Sequence, residues 1–239
     1  MRDRYLLLLA RAHDPTVRAL QQQAGNRLVH ATIAELSRPG WLYAGGSPER
    51  ATACAGGRRI EASQIAAVLC RIAHVTPTDL PSLHPEDREY AAAEMTAFLR
   101  AWLAQFEGRV INEPTWMSLA GPAWHPMHWG RLVSKLGIPV TLAAVMPDQL
   151  VTATVVGTEV LGVEDPALIE YARLIALHVN ARALSIRFIH DGEWRFHSAD
   201  ARPVLDEECA GALLRTVFGG SVGPTRSVAP RSRAGAGLS

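Results

Sequence analysis

Lysine, cysteine and long apolar runs are scarce in this sequence. Lys135 is the only lysine among 24 basic residues, so chemistry that needs a lysine has one candidate. Cys54, Cys70 and Cys209 form no CxxC pair, which is typical of buried thiols in a reducing compartment. The apolar run at 5–10 is too short for a signal peptide, and no later run reaches the roughly 18 residues of a membrane span. We therefore expect a soluble cytoplasmic protein.

Excess charge of either sign is also missing. The 24 basic and 23 acidic residues leave a net charge of +1, which argues against a general electrostatic binder of nucleic acid or anionic membrane. Hydrophobic residues make up 48% of the 239 residues, enough to bury a sizeable core. This composition excludes disorder over the whole chain.

The N-terminal part has the pattern of an α/β lobe. The apolar run 5–10 predicts a buried parallel strand, and Asp14 and Pro15 are residue types favoured at a helix start. A helix to residue 24 and a strand at 28–33 complete a β-α-β unit. Further along we expect a hairpin of 52–55 with 58–61, a short helix at 63–68 and a strand at 69–73. The proline-rich connector 77–85 separates lobe 1–80 from a second lobe at 85–218.

The second lobe mixes helices and hairpins. A long helix at 85–106 has an acidic first turn and a broad apolar face, and a second helix at 126–136 is closed by Gly137. The remaining expected elements are strands at 110–112 and 140–145, hairpins 150–156/159–163 and 183–190/194–198, and helices 166–178 and 206–218. The tail 219–239 is rich in Gly, Ser, Pro, Ala and Arg, which predicts disorder.

Two blocks, 85–145 and 150–205, carry motifs in a specific order. The first contains Val110 or Ile111 followed by Asn112 and Pro114, and then the strand-like GIPVT at 137–141. The second contains VVGTEV followed by a helix and a closing hairpin. This order resembles peptide-modifying ATP-grasp ligases with a pre-ATP-grasp lobe, such as the microviridin and graspetide ligases. The resemblance implies an ATP-grasp-like α/β fold, with an N-terminal pre-ATP-grasp lobe and a reduced C-terminal grasp lobe.

The sequence departs from that family at the nucleotide site. The family holds ATP under a lid inserted between the two blocks, whereas here only residues 144–149 separate the expected strands, and Lys135 lies before the gap. At the family's magnesium-binding positions on the last hairpin stand Arg187, Ser198 and Asp200. With Arg202 they form a vestigial nucleotide or metal site, or simply a salt bridge across the hairpin. We therefore expect no cofactor, and ATP with Mg²⁺ only if the chain is a ligase.

Three of the six tryptophans, Trp116, Trp124 and Trp129, cluster in a loop and helix start. Exposed aromatic rings there predict a binding surface for a partner protein or peptide, although the rings could instead cover the sheet left open by the missing lid. His125 and His128 in the same segment have the i, i+3 spacing of candidate metal ligands, or are surface residues packed on tryptophan. A third ligand would come from afar, such as His197 or His84.

These observations favour a degenerate ATP-grasp-like protein without ligase activity. It would be an accessory or binding subunit in a natural-product or modified-peptide pathway, with a partner protein or precursor peptide and possible self-association. Two alternatives stay open. One is an ATP-dependent carboxylate–amine ligase whose lid is atypical or supplied by a partner, and the other is a metal-binding protein that uses His125 and His128. No nucleic-acid or membrane partner is expected.

Overall fold

A computed structural model describes residues 4–141, 143 and 146–219. Their strands are β1 (Tyr5–Leu9), β2 (Leu28–Ala31), β3 (Thr52–Ala55), β4 (Arg58–Glu61), β5 (Ile65–Cys70), β6 (Val110–Ile111), β7 (Val151–Val156), β8 (Glu159–Leu161), β9 (Ala183–Asp191) and β10 (Glu193–Asp200). The α-helices are α1 (Pro15–Ala24), α2 (Ile33–Leu36), α3 (Arg88–Ala104), α4 (Pro126–Lys135), α5 (Pro166–His178) and α6 (Glu207–Phe218). The predicted α/β fold class is confirmed.

The first sheet is parallel, with strand order β2-β1-β5-β6. Its central strand β1 is buried on both faces because successive side chains alternate between two cores. Leu7 and Leu9 pack into the core that contains Trp102, whereas Leu6 and Leu8 pack into the core that contains Leu20 and residues of α6. The continuous apolar run predicted from the sequence is therefore a two-sided buried strand.

The helix predicted at 63–68 is wrong. Residues Ala62–Gln64 form a single 3-10 turn, and β5 begins directly after it and pairs with β1 and β6. The Ala-Ala step at 66–67 has high helix propensity, but both faces of this segment are buried and both of its edges are paired with neighbouring strands. Tertiary pairing overrides the local preference, and the strand predicted at 69–73 starts four residues earlier.

The long predicted helix is confirmed as a 3-10 turn at Pro85–Asp87 followed by α3. Its residues Leu99, Trp102 and Leu103 are fully buried against the first sheet. Strand β6, which follows α3, pairs with β5 in that same sheet, and α6 packs against α1. The division into lobes 1–80 and 85–218 stays a prediction, and elements after the connector pack on the sheet that precedes it.

The second sheet is antiparallel, with strand order β10-β9-β7-β8, and both predicted hairpins in it are confirmed. Helices α4 and α5 pack on it around Phe188 and Phe196. The strand predicted at 140–145 is reduced, among its described residues, to a bridge between Val140 and Phe196; residues 142, 144 and 145 lie outside the described residues. The predicted disordered tail also lies outside them from residue 220 onward. None of the described helices has the length and hydropathy of a membrane span.

Candidate functional site

A cleft of about 380 Å³ opens at the carboxyl edge of the parallel sheet, between the ends of β1 and β5 and the end of β10. We call it the arginine cleft; its lining residues are Arg11, His13, Asp14, Arg71, Asp200 and Arg202. In open α/β sheets, ligands bind outside the carboxyl ends of the strands, because the loops that follow the strands converge there. The arginine cleft is therefore the candidate functional site.

The floor of the cleft is a buried ion pair between Arg71 and Asp14. Arg71 is 9% exposed, and its Nε donates to Asp14 Oδ2 at 2.7 Å while its Nη1 donates to the carbonyl of Pro203 at 2.5 Å. The other oxygen of Asp14 accepts from the backbone N–H of Thr16 at 3.0 Å and caps α1. Both oxygens of Asp14 are thus engaged within the protein, and Arg71 is held rigidly.

Arg11 forms one wall of the cleft and is oriented by Asp79. Its Nε and Nη2 donate to the two carboxylate oxygens at 2.8 Å each, in the bidentate geometry that suits guanidinium and carboxylate. Asp79 also accepts from the backbone N–H and hydroxyl of Thr76, at 2.8 and 2.6 Å. Chiefly because of the hydrogen bond from Arg11, the pKa of Asp79 falls to about 2.

Asp200 and Arg202 form the opposite wall, and the sequence had predicted both. Asp200 Oδ1 accepts from the backbone N–H of Arg202 at 2.9 Å, a local turn bond. The Nε of Arg202 lies 3.8 Å from the same oxygen, and the two side chains are 43% and 45% exposed for Arg202 and Asp200. An exposed pair at that separation contributes little, so the guanidinium of Arg202 is open to solvent in the cleft.

The other two predicted residues lie elsewhere. Arg187 on β9 is exposed and pairs in register with Ser198 on β10, and neither lines the cleft. The Oγ of Ser198 is 3.2 Å from Nδ1 of its neighbour His197. Mg²⁺ prefers a cage of oxygen ligands. The guanidinium of Arg187, the hydroxyl of Ser198 and the carboxylate of Asp200, which accepts a bond from its own loop, do not form such a cage. The residues that the sequence resemblance aligns with magnesium-binding positions therefore do not suit that ion.

Sequence reasoning missed Arg11, His13 and Arg71 as site residues, and treated Asp14 only as a helix cap. The available signal was position: Arg71 directly follows β5, and Arg11, His13 and Asp14 lie in the loop that follows β1, where the carboxyl edge of a parallel sheet is expected. The strand predicted at 69–73 obscured this signal for Arg71, because it placed Arg71 inside the strand, whereas β5 ends at Cys70.

The structure separates the three tryptophans of the predicted partner surface. Trp129 is 3% exposed, with its ring 4.9 Å from that of Trp124 and 6.5 Å from that of Phe196. Its assignment to a binding surface is wrong, because it fills the core between α4 and the second sheet. Trp124 is half-buried beside it, so these two rings cover the sheet, as the alternative interpretation held. Trp116 is 80% exposed and stays a candidate for partner binding.

The predicted histidine pair lies at the start of α4. His125 is the N-cap, and its Nδ1 accepts from the backbone N–H of Met127 at 3.3 Å. His128 is exposed one turn later. Within residues 4–219, apart from the undescribed positions 142, 144 and 145, no three His, Cys, Asp or Glu side chains are grouped as metal ligands. His84 instead lies 3.9 Å from Glu86, so a metal site at His125 and His128 stays a prediction without a third ligand.

No protein-family model and no curated protein matches the sequence. Solved structures do match over most of the chain. Macrocyclase MdnC from Microcystis aeruginosa MRC, bound with precursor peptide MdnA, is 11% identical and aligns over 90% of this chain and 100% of its own, with a TM-score of 0.66. The chain has the fold of ATP-grasp ligases. Ligase PsnB, complexed with a precursor variant, Mg and ADP, aligns at 12% identity over 90% and 99% of the two chains, with a TM-score of 0.66.

A third similar structure also holds a nucleotide and peptides. The RiPP-associated ATP-grasp ligase of Chryseobacterium gregarium, in complex with ADP and a leader and core peptide, is 10% identical, covers 90% of this chain and 97% of its own, and has a TM-score of 0.59. At these identities the shared property is the fold. The resemblance predicted from motif order is thereby confirmed at the level of architecture.

The connection between the two motif blocks is short, as the sequence indicated. Helix α4 ends at Lys135 and β7 begins at Val151, so residues 136–150 make the whole link. Its described part contains the bridge at Val140 and a 3-10 turn at Pro147–Gln149. Lys135 is exposed in the last turn of α4. A stretch of this length has no room for an inserted lid domain.

Proposed function

We propose that this chain binds a peptide, either a precursor or a segment of a partner protein, in a natural-product peptide pathway and does not itself carry out ligation. The observation that carries the proposal is the shared fold with ligases whose structures hold precursor peptides, combined with the direct 136–150 link. The fold supports peptide recognition, and the missing insertion argues against enclosure of a nucleotide. Trp116 offers an exposed aromatic ring for such a peptide.

Charge at the closing hairpin argues against phosphoryl chemistry in this chain. ATP-dependent catalysis depends on cations and donors that neutralise the developing charge around the phosphates, and each lost group costs roughly a thousandfold in rate. The exposed guanidinium of Arg187 lies where the family resemblance places an acidic magnesium ligand, and it repels a divalent cation. Lys135 lies on α4, outside any inserted segment.

The alternative is an ATP-dependent carboxylate–amine ligase completed by a partner. Its support is that the similar structures are themselves ligases and that one of them holds Mg and ADP. This alternative requires a second protein to provide the missing lid and its lysine. It predicts that the chain alone is inactive and that activity appears when the partner is added.

ATP turnover by the purified chain tests the proposal. We expect no ADP release above that of Asp200→Ala, with Mg²⁺ present and with or without peptides. In parallel, a display library of random peptides panned on the immobilised chain should yield a consensus sequence. Robust ADP release that Asp200→Ala abolishes, or a library with no enriched sequence, would overturn the proposal. ADP release only after a second protein is added would establish the ligase alternative.

A further inference from the structure

We propose that the side of helix α5 that points away from the second sheet binds the same side of α5 in a second copy of this chain. The two helices would run antiparallel about a two-fold axis. This inference goes beyond the proposed function, because self-association needs no peptide. It starts from apolar side chains that α5 presents to solvent.

Helix α5 is apolar on two opposite sides. Its buried residues, which pack on the second sheet, are Leu168, Ala172, Ile175 and Ala176. On the other side Leu174 is 37% exposed and Leu177 is 75% exposed. A surface helix of a globular protein normally turns polar residues to solvent, and a helix that is apolar on all sides is normally covered on all sides. The exposed side of α5 therefore has the composition of a surface that a partner covers.

The exposed side forms one continuous stripe. A depression of about 670 Å³ runs along it, and the described residues that line it all belong to α5: Pro166, Ile169, Glu170, Arg173, Leu174 and Leu177. Their sequence separations of three and four residues place them on one helix face, which we call the outer face of α5. At 1.5 Å per residue the stripe is roughly 17 Å long, or about three turns.

The outer face of α5 is symmetric about the midpoint between residues 171 and 172. Positions at equal distance from that midpoint form the pairs Glu170 and Arg173, Ile169 and Leu174, and Pro166 and Leu177. In an antiparallel pair of identical helices related by a two-fold axis at this midpoint, each residue faces its counterpart in the second copy. Two apolar residues then meet in each of two pairs, and opposite charges meet in the third. A two-fold interface has to match itself in this way, whereas a face for an unrelated partner does not.

The two charges on the outer face decide which occupant it fits. Glu170 and Arg173 are exposed, and neither forms an ion pair within the described ranges 4–141, 143 and 146–219. In the two-fold arrangement each of them faces the opposite charge of the second copy, which makes two equivalent ion pairs between the chains. Such complementarity fixes the register of an interface and rejects partners that place like charges together.

The size of the outer face predicts a weak dimer. One helix face buries less than the roughly 1,200 Å² of a standard stable interface, so we expect a Kd on the order of 100 µM. Sedimentation velocity of the full chain from about 5 µM to about 1 mM covers this range. Because exposed ion pairs are screened by salt, the measurement is made at an ionic strength of about 0.05 M.

Charge reversal tests the register. Glu170→Arg leaves two positive charges on the outer face and Arg173→Glu leaves two negative charges, so each variant alone places like charges opposite each other at two points. We expect each to dimerise about tenfold more weakly than wild type or worse, and their equimolar mixture to dimerise about as tightly as wild type. The double variant Glu170→Arg/Arg173→Glu should also recover the dimer. Arg131→Glu, at an exposed arginine of α4, is the matched control and should behave as wild type.

The mixture keeps the test independent of folding defects, because two misfolded variants would not restore each other. Circular dichroism should give the same thermal midpoint for all variants within about 2 °C, since both altered positions are exposed. The inference is overturned if wild type stays monomeric at the highest concentration, if both single variants dimerise like wild type, or if the mixture is no more dimeric than its components. It is also overturned if only a second protein, and not a second copy, binds the outer face of α5.

Discussion

The side-chain amide of Asn112 pairs with the backbone of Ala183 as a neighbouring strand would. Its Nδ2 donates to the carbonyl of Ala183 at 2.7 Å, and its Oδ1 accepts from the N–H of Ala183 at 2.9 Å. The same amide donates to the carbonyl of Ala201 at 2.9 Å and accepts from the N–H of Arg182 at 2.7 Å. All of its hydrogen-bonding capacity is satisfied in a site that is 2% exposed.

This amide joins the two sheets. Asn112 directly follows β6 at the edge of the parallel sheet, whereas Ala183 begins β9 in the antiparallel sheet. The bond to Ala201 adds the loop after β10, which carries Arg202 into the arginine cleft. The asparagine of the motif that supports the ATP-grasp resemblance thus has a structural task in this chain.

Substitution Asn112→Ala should therefore destabilise the protein by about 3 kcal/mol or more, because it leaves four backbone groups without partners, three of them in the buried residues Ala183 and Ala201. Chemical denaturation measures the change in the free energy of unfolding. Asn26→Ala is the control, since Asn26 is exposed and should change stability by less than about 0.5 kcal/mol. Equal stability of the two variants would show that the hydrogen bonds of the Asn112 amide do not hold the two sheets together.

Gly121 provides the space that Asn112 occupies. A Cβ at Gly121 would lie 2.6 Å from Cβ of Asn112, and the backbone has a φ of +100°. We expect Gly121→Ala to destabilise by several kcal/mol, because strain adds to a clash with a side chain held by four hydrogen bonds. Gly137→Ala isolates the backbone contribution: its φ is +78° with nothing within 4 Å, so about 1 kcal/mol is expected. Similar losses in both variants would refute the packing argument.

Trp129 and Trp116 should respond to truncation in opposite ways. Trp129→Ala removes a ring that is 3% exposed and should cost about 3–5 kcal/mol of stability. Trp116→Ala removes a ring that is 80% exposed, so stability should stay within about 0.5 kcal/mol while peptide binding weakens. Urea melts and peptide titrations of both variants separate the two roles. Unchanged peptide affinity in Trp116→Ala would remove that ring from the proposed binding surface.

Much of the fold could be predicted because its signals are local. The hairpin turn at Gly56 and Gly57 has φ values of +57° and +71°, which glycine adopts readily. Asp14, Asp165 and Asp206 each cap the helix that follows, as their positions before an apolar periodic run indicate. Each signal depends on a few neighbouring residues and needs no knowledge of the tertiary structure.

The elements that prediction missed are those decided by distant partners. Strand β5 contains an Ala-Ala step that favours helix, and only its pairing with β1 and β6 makes it a strand. The burial of Trp129 depends on Phe196, which is far away in sequence. The arginine cleft likewise combines residues from three distant segments of the chain, at 11–14, 71 and 200–202. The sequence contains these arginines, but only the tertiary structure brings them together. Of the residues that line the cleft, the sequence analysis named Asp200, through the family resemblance, and its neighbour Arg202.

All three cysteines should be unreactive in the native protein. Burial raises the pKa of Cys70 to about 12, and burial with a hydrogen bond to Asp206 raises that of Cys209 to about 12; Cys54 is 5% exposed. At about pH 8 the thiolate that reacts with a disulfide reagent is therefore suppressed or inaccessible. We expect the native protein to release no coloured product rapidly from such a reagent, and the denatured protein to titrate as three thiols per chain. The variant Ser63→Cys places a thiol at an exposed position and is the control, which should react at once. Rapid reaction of the wild-type protein would contradict the burial of its three cysteines.

The Arg11–Asp79 pair should make stability fall at acidic pH. The pKa of Asp79 is lowered from 3.8 to about 2 in the folded protein, chiefly by the hydrogen bond from Arg11. A carboxyl with a lowered folded pKa stabilises the protein above its unfolded pKa, and that contribution is lost as pH falls through the folded value. The loss should therefore develop between about pH 4 and pH 2.

Thermal midpoints of wild type and Arg11→Gln across this range measure the contribution. Without the guanidinium the pKa of Asp79 should return toward its ordinary value, so the variant should be less stable than wild type at neutral pH. The difference between the two proteins should shrink as pH falls from about 4 to about 2, because protonated Asp79 no longer distinguishes them. Arg18→Gln, an exposed arginine on α1, should follow wild type throughout. A gap between wild type and Arg11→Gln that stays constant with pH would mean that Arg11 stabilises by packing of its stem and not through the charge of Asp79.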